Sequence, residues 1–225
     1  AAIIATVAFG ARVVAGDVYH EGISGITVAD IEFAADLQHC IKLLAVVEQT
    51  RASDGGLQIG VRVHPTLVPL DHPLASVRGS FNAVFVEGGA SGDLMFYGRG
   101  AGGRPTASAV LGDLVDAAGN LRRGHGAPIG ALERARIAPI DDVTSAFYLN
   151  VEVDDRPGVL AQVATVFGEN GVSIRSMEQE GLGGEARLVF ITHAAKERDL
   201  RSTLQGLRSL DAVRAVGSVL RVIGD

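Results

Sequence analysis

Residues 145–225 carry the sequence pattern that most constrains the fold of this chain. Apolar and polar side chains alternate from 147 to 153, which predicts a half-buried strand. A turn then leads into a helix that Asn170 and Gly171 end, because such residues are typical of helix C-termini. The apolar positions of this helix recur at helical spacing: Val159, Val163, Val166 and Phe167.

The rest of this segment completes a regular order of strands and helices. Two more strands are predicted at 172–175 and 187–191, on either side of a glycine-rich turn at 181–184. A second helix precedes a last strand at 213–223, and its apolar stripe consists of Leu200, Leu204, Leu207 and Leu210. The resulting order, βαββαβ, is that of a ferredoxin-like sandwich of one sheet and two helices.

Residues 1–118 also predict an α+β arrangement, with a mostly antiparallel sheet and helices. A short helix follows Thr27, whose side chain we expect to cap it in a capping box with Asp30. An apolar helix without an N-cap residue begins at Ala1, and we expect a further region of protein to precede it. Strands separated by Gly, Ser and Asp turns are predicted at 41–48, 57–65, 80–87 and 94–97.

Residues 119–144 separate the two regions. They contain Gly, Pro, Arg and Asp without clear periodicity, which predicts a linker. We therefore expect two domains, at 1–118 and 145–225.

Composition argues against several kinds of site. The net charge of −6, without a run of Lys or Arg, argues against a nucleic-acid surface. The apolar run at 1–11 is too short to span a bilayer, so no membrane partner is expected. Cys40 is the sole cysteine, so an internal disulfide is impossible and a reducing cytoplasm is the expected compartment. None of the six histidines has metal-ligand spacing, so no metal site is expected.

Gly98, Gly100 and Gly103 give the spacing G-x-G-x-x-G, which suggests a cofactor site. A strand precedes them, and a helix is predicted at 106–115. Glycines allow a backbone to approach a pyrophosphate closely, and a helix start offers free N–H groups. A complete dinucleotide-binding fold continues with a further strand and an acidic residue, whereas here the predicted linker follows. A structural corner between strand and helix is therefore the favoured interpretation.

His20 and Glu21 are two further candidates for site residues. Adjacent polar residues in a turn are more often solvated, and the residues alone do not separate the two interpretations.

Two sets of motifs resemble known families. The segments 155–160, Asp-Arg-Pro-Gly-Val-Leu, and 170–174, Asn-Gly-Val-Ser-Ile, resemble an ACT domain, a module that senses small amino acids. The first region resembles the C-terminal part of the catalytic region of homoserine dehydrogenase. That resemblance rests on 21–23, 72–75, 98–102, 106–107 and 111–113. The order of the two regions matches the bacterial enzymes that carry a regulatory tail.

The resemblance implies an enzyme that interconverts L-homoserine and L-aspartate 4-semialdehyde with NADP or NAD, in the route to threonine, methionine and isoleucine. Exposed edges on both predicted sheets also lead us to expect a homo-oligomer, either a dimer or a tetramer. Gly102 matches a backbone contact of the family with the nicotinamide cofactor, and Gly100 and Ala101 are further candidates. Neither Lys42 nor Lys196 matches the catalytic lysine of the family. No catalytic residue is therefore assigned, and the chain alone is expected to be inactive.

The ACT resemblance implies an effector site, with threonine as the expected effector. Its carboxylate would lie on the N–H groups of Gly158, Val159 and Leu160, and its ammonium would meet Asp155. Two residues, Ser173 and Ile174, match positions that often face the effector from the partner subunit in ACT dimers. The structural alternative is that Asp155 caps the helix and the domain serves as a dimer contact. A non-catalytic module that binds amino acids and acts by ligand-gated oligomerisation is the alternative function.

Overall fold

The fold was analysed in a computed structural model that describes residues 1–126, 131–181 and 183–224. The described chain divides into two compact units, which are treated separately. The first unit combines Ala1–Pro69 with Glu133–Asp225, and the second is Leu70–Leu132.

The first unit begins with two short helices and a long hairpin. Its elements in this part are α1 (Ala2–Phe9), β1 (Tyr19–His20), α2 (Val28–Asp36), β2 (His39–Arg51) and β3 (Leu57–Pro69). The predicted capping box is confirmed: Thr27 Oγ1 accepts a hydrogen bond from Asp30 N at 3.2 Å, and Asp30 Oδ2 accepts one from Thr27 N at 2.8 Å. Strands β2 and β3 pair antiparallel along their whole length.

The C-terminal part of this unit has the predicted βαββαβ order. It contains β6 (Thr144–Asp154), α4 (Val159–Glu169), β7 (Ile174–Gly181), β8 (Glu185–Thr192), β9 (Ala195–Lys196), α5 (Glu197–Arg208) and β10 (Val213–Val222). The sheet order β10-β6-β8-β7 confirms the ferredoxin-like arrangement. Its core contains side chains from the sheet and both helices, including Phe147, Leu149, Val163, Phe167 and Leu207.

A parallel pairing joins the two parts of the first unit into one sheet. Arg221 and Val222 of β10 lie opposite Thr66 and Leu67 of β3. Strand β1 also pairs parallel with β3, so the antiparallel prediction holds for β2–β3 but not for every pair. A second core forms on the sheet face opposite α4 and α5, where α2 contributes Ala34. The pattern of apolar residues along β10 does not indicate which strand pairs with its free edge.

The second unit contains an antiparallel hairpin and a helix: β4 (Phe81–Gly88), β5 (Gly92–Arg99) and α3 (Gly103–Arg122). Helix α3 is longer than the predicted 106–115, and it continues into the segment predicted as a linker from 119 to 144. Residues 119–122 of the predicted linker are therefore helical. Part of the predicted linker, 127–130, lies outside the described residues. The domain boundaries 1–118 and 145–225 remain a prediction.

Within the described segments, helices long and apolar enough to cross a membrane do not occur. Groups of three or more side chains suited to a metal ion are likewise missing from the described part of the chain.

Candidate functional site

The glycine-rich stretch forms the corner between β5 and α3. Gly102 is the N-cap of α3 and adopts φ 125° and ψ 147°, a conformation that residues with a side chain rarely adopt. The N–H groups of Gly103 and Arg104 have no intrahelical acceptor because they lie at the start of the helix. No side-chain cap of this helix occurs within the described chain either. The corner thus presents bare backbone and two hydrogen-bond donors, which suits close approach by a negatively charged group.

The candidates beside Gly102 differ in what their surroundings require. A Cβ atom at Gly100 would meet the amide end of the exposed Asn82 side chain, so a substitution there requires only that this side chain moves. Ala101 is exposed. The described residues form the predicted corner between a strand, β5, and a helix, α3. The contact with a cofactor stays a prediction.

The first half of the predicted effector site lies where β6 leads into α4. Gly158 is the N-cap of α4, with φ 89°, and no side chain of the described residues caps this helix. The alternative in which Asp155 caps α4 is therefore wrong. The side chain of Asp155 is exposed, and its backbone N–H donates to Gly184 O at 3.2 Å. Val159 is buried and its backbone N–H donates to Arg156 O at 3.4 Å, whereas Leu160 is exposed.

The second half of that site lies at the other end of the sheet. Asp154, next to Asp155, pairs with Glu185 of β8, whereas Ile174 pairs with Thr192. The two partners are 192 − 185 = 7 residues apart along β8, which at 3.3 Å per residue is roughly 23 Å. One chain therefore does not bring Ser173 and Ile174 to the turn before α4.

A buried ionic cluster lies where β10 meets the first part of the chain. Arg221 Nη2 donates to Glu21 Oε1 at 2.9 Å, Arg221 Nε donates to Glu197 Oε1, and the guanidinium lies over the Tyr19 ring. Tyr19 OH donates to Glu21 Oε1 at 2.6 Å. Glu21 is thus an ion-pair residue and not a solvated turn residue, whereas its neighbour His20 is exposed.

The pKa values of this cluster follow from burial and pairing. Burial disfavours the charged guanidinium, but hydrogen bonds to Glu21 and Glu197 outweigh it and raise the pKa of Arg221. Burial alone would raise the pKa of Glu21, but hydrogen bonds from Arg221 and Tyr19 hold it below its usual value. Burial raises the pKa of Glu197.

His64 lies in β3 near this cluster and is also buried. Its Nδ1 is 2.9 Å from Thr66 Oγ1, and its Nε2 has no hydrogen-bond partner among the described atoms. Burial, and then the nearby Arg221, lower the pKa of His64 to about 4. Neither Arg221 nor His64 was predicted as a site residue, although a charged residue within the apolar run 219–222 is a detectable signal.

Two family models match the chain in the order of its segments. The model of homoserine dehydrogenase matches residues 1–115, and the model of the ACT domain matches residues 147–212.

Similar proteins align along the whole chain. Homoserine dehydrogenase of Corynebacterium glutamicum is 50% identical over 226 residues, covering 100% of this chain and 51% of that protein. The Mycobacterium tuberculosis homoserine dehydrogenase is 47% identical over 231 residues, with 100% and 52% covered. The chain therefore spans about half the length of the curated relatives it matches.

A solved structure of a homoserine dehydrogenase is also similar to this chain along nearly its whole length. The crystal structure of a homoserine dehydrogenase from Thiobacillus denitrificans matches with a TM-score of 0.89 and 34% identity, covering 99% of this chain and 51% of that chain. The matched family model, the ACT domain and this fold together show that the chain belongs to the homoserine dehydrogenase family.

Proposed function

We propose that the chain is part of an enzyme that interconverts L-homoserine and L-aspartate 4-semialdehyde, in the route to threonine, methionine and isoleucine. The observation that carries this proposal is the alignment of the entire chain with homoserine dehydrogenases at up to 50% identity. A family match along both segments favours the enzyme over a free-standing ACT module.

The cofactor would be NADP or NAD, which accepts the hydride from homoserine when bound. Gly102, with Gly100 and Ala101, would contact it through the backbone. This role is compatible with the positive φ of Gly102 and the uncapped start of α3. We assign no catalytic residue to this chain, because its two lysines, Lys42 and Lys196, do not match the lysine of the family.

The ACT segment would bind threonine as a feedback effector, in a homo-oligomer. The carboxylate would lie on the N–H groups of Gly158, Val159 and Leu160 at the N-terminus of α4, where the Val159 N–H would have to leave Arg156 O. Exposed Asp155 supports an ammonium site beside it. The distance along the sheet supports a second copy as the source of Ser173 and Ile174. We also propose a cytoplasmic location, which the single cysteine supports.

Activity is tested by joining this chain to the preceding half of the Corynebacterium glutamicum enzyme. We expect the fusion to reduce NADP with L-homoserine and the 225-residue chain alone to remain at background. Turnover by the chain alone would contradict the absence of a catalytic residue. A folded fusion without activity, with thermal unfolding as the check of folding, would contradict the proposed reaction.

The effector residues are tested by calorimetry of the chain with L-threonine. Asp155→Ala removes the carboxylate that would meet the ammonium, and we expect roughly tenfold weaker binding. Glu169→Ala is the matched control, since it removes an exposed carboxylate at the other end of α4. Equal binding by the Asp155→Ala variant would remove Asp155 from the site.

A further inference from the structure

A cavity lies on the sheet face opposite α4 and α5, in the first unit. Its volume is about 600 Å³, within the range of roughly 300–1,000 Å³ that is usual for small-molecule sites. Its walls come from the segment 21–30, from Pro65 and from strands β6, β8 and β10. A molecule in this cavity would therefore touch both the segment matched by the homoserine dehydrogenase model and the segment matched by the ACT model.

Two buried oxygen atoms of the cavity wall have no hydrogen-bond partner. Asp30 is 1% exposed, and its Oδ2 accepts from Thr27 and from Ser218 Oγ at 2.7 Å. Its other oxygen, Oδ1, has no partner among the described atoms. Asn150 is 7% exposed, and its Oδ1 is likewise unpartnered. An unpartnered buried polar group is destabilising, so both atoms favour a ligand with hydrogen-bond donors.

A cation lies in the same wall. Arg187 lines the cavity, and its Nε is buried without a partner among the described atoms. Its Nη2 is 3.5 Å from Glu152 Oε1, and its Nη1 is 3.8 Å from Glu180 Oε2. Its guanidinium lies 5.2 Å from the centre of the Phe33 ring. Phe33 and Asp30 are three residues apart on α2, which makes them neighbours on the helix surface. Arg187 therefore contacts a residue that neighbours Asp30 on α2.

These groups define the class of ligand. Two acceptor oxygens match an ammonium group, and a guanidinium edge matches a carboxylate. Glu21 and Glu152 also line the wall and are paired with Arg221 and Arg187, so a ligand carboxylate would share Arg187 with Glu152. The negative charge of Asp30 disfavours phosphate and other pure anions. The apolar remainder of the wall suits a short side chain: Ile26, Pro65, Val219 and Leu220.

We propose that this cavity binds a small L-α-amino acid, with the ammonium at Asp30 and Asn150 and the carboxylate at Arg187. The site shares no residue with the proposed effector site at the start of α4, and binding to it requires no turnover. It therefore goes beyond the function proposed above.

The test is a calorimetric titration of the 225-residue chain with each of the twenty L-amino acids. We expect a small amino acid to bind the unmodified chain and also the Asp155→Ala variant, which lacks the carboxylate of the other proposed site. Two variants, Arg187→Gln and Asn150→Leu, should each weaken this binding roughly 10- to 100-fold, because each removes a hydrogen-bonding group that faces a charged group of the ligand.

Controls separate binding from folding. Asn150→Leu replaces an amide whose Oδ1 is unpartnered among the described atoms by an apolar group of similar size. The temperature of thermal unfolding should therefore not fall. Arg208→Gln makes the same change as Arg187→Gln at an exposed arginine in the last turn of α5 and should bind normally. Ala29→Leu adds volume to the wall without removing a polar group and should block binding.

Two results would overturn the proposal. The first is that none of the twenty amino acids binds. The second is binding that Asp155→Ala abolishes and Arg187→Gln leaves unchanged, which would assign all binding to the start of α4. The second result would support the proposed effector site at the start of α4 and contradict the proposed site in the cavity.

Discussion

At the scale of single residues, two positions lead to testable predictions: His64 through its burial and Gly102 through its backbone conformation. His64 is buried with an unpartnered Nε2, and Gly102 has a backbone conformation that a side chain disfavours. The first affects stability through protonation, and the second constrains what can replace it at the corner before α3.

Stability should decrease as the pH falls from about 6.5 to about 4, because His64 takes up a proton in the unfolded chain before it does so in the folded one. The contribution is fully present above the unfolded pKa of 6.5 and is lost as the pH approaches the folded value of about 4. The total is about 3 kcal/mol. Denaturant unfolding at a series of pH values measures it, and His64→Gln should remove this part of the slope. An equal slope in both proteins would contradict the lowered pKa.

Gly102→Ala should weaken binding of NADP to the active fusion protein, because a methyl group would stand where the backbone is proposed to approach the cofactor. The KM for NADP should rise at least several-fold, since even small displacements at a site reduce activity. Gly103→Ala is the control, because a Cβ there meets no atom within 4 Å and its φ is not positive. Equal effects of both changes on KM would indicate a general disturbance of the corner.

At the scale of elements, the contact between β10 and β3 depends on Arg221. The guanidinium lies between Glu21, which follows β1, and Glu197, which begins α5. One side chain of the ACT segment thus pairs with carboxylates from both parts of the first unit.

Arg221→Met should lower the free energy of unfolding by about 3 kcal/mol, because it leaves the buried carboxylate of Glu197 and the partly exposed carboxylate of Glu21 without their cation. Arg214→Met is the matched control: it removes ion pairs with Asp154 and Glu185 that are largely exposed, which should cost at most about 1 kcal/mol. Denaturant unfolding of both variants measures the difference. A similar loss for both would show that Arg221 contributes no more than a surface ion pair.

The elements that could be predicted from the sequence are those with a strong local signal. The strand before Asp154, the helical stripe from Val159 and the Thr27 capping box depend on residues close in sequence, and all three elements are confirmed. The strand is not half-buried as predicted, because Tyr148 and Asn150 are buried on the second face of the sheet. The parallel pairing of β10 with β3 joins residues more than 150 positions apart, as in Arg221 with Thr66. No local pattern encodes that choice of partner, so neither the continuous sheet nor the ionic cluster and cavity beside it could be predicted.

At the scale of the whole molecule, the second unit exposes an unusual amount of apolar surface. Ala75 is the sole buried residue among the described residues of 70–132. Exposed apolar residues follow one side of α3, at angles that span about 140° of the helix circumference: Val110, Leu111, Leu114, Val115 and Leu121. The hairpin exposes a further apolar set: Val84, Val86, Leu94, Phe96 and Tyr97. Exposed patches of this kind usually mark protein interfaces.

We therefore expect the 225-residue chain to sediment as a dimer or tetramer through the second unit. Leu114→Glu with Val115→Glu places two charges in the apolar stripe of α3 and should shift the chain towards a monomer in sedimentation velocity. Asn120→Glu adds a charge to the same helix outside the stripe, roughly 80° from Val110 at 100° per residue, and should leave the assembly unchanged. Equal assembly of both variants would show that the stripe of α3 is not the interface. A monomer in the unmodified chain would also leave the proposed effector site without the Ser173 and Ile174 of a second copy.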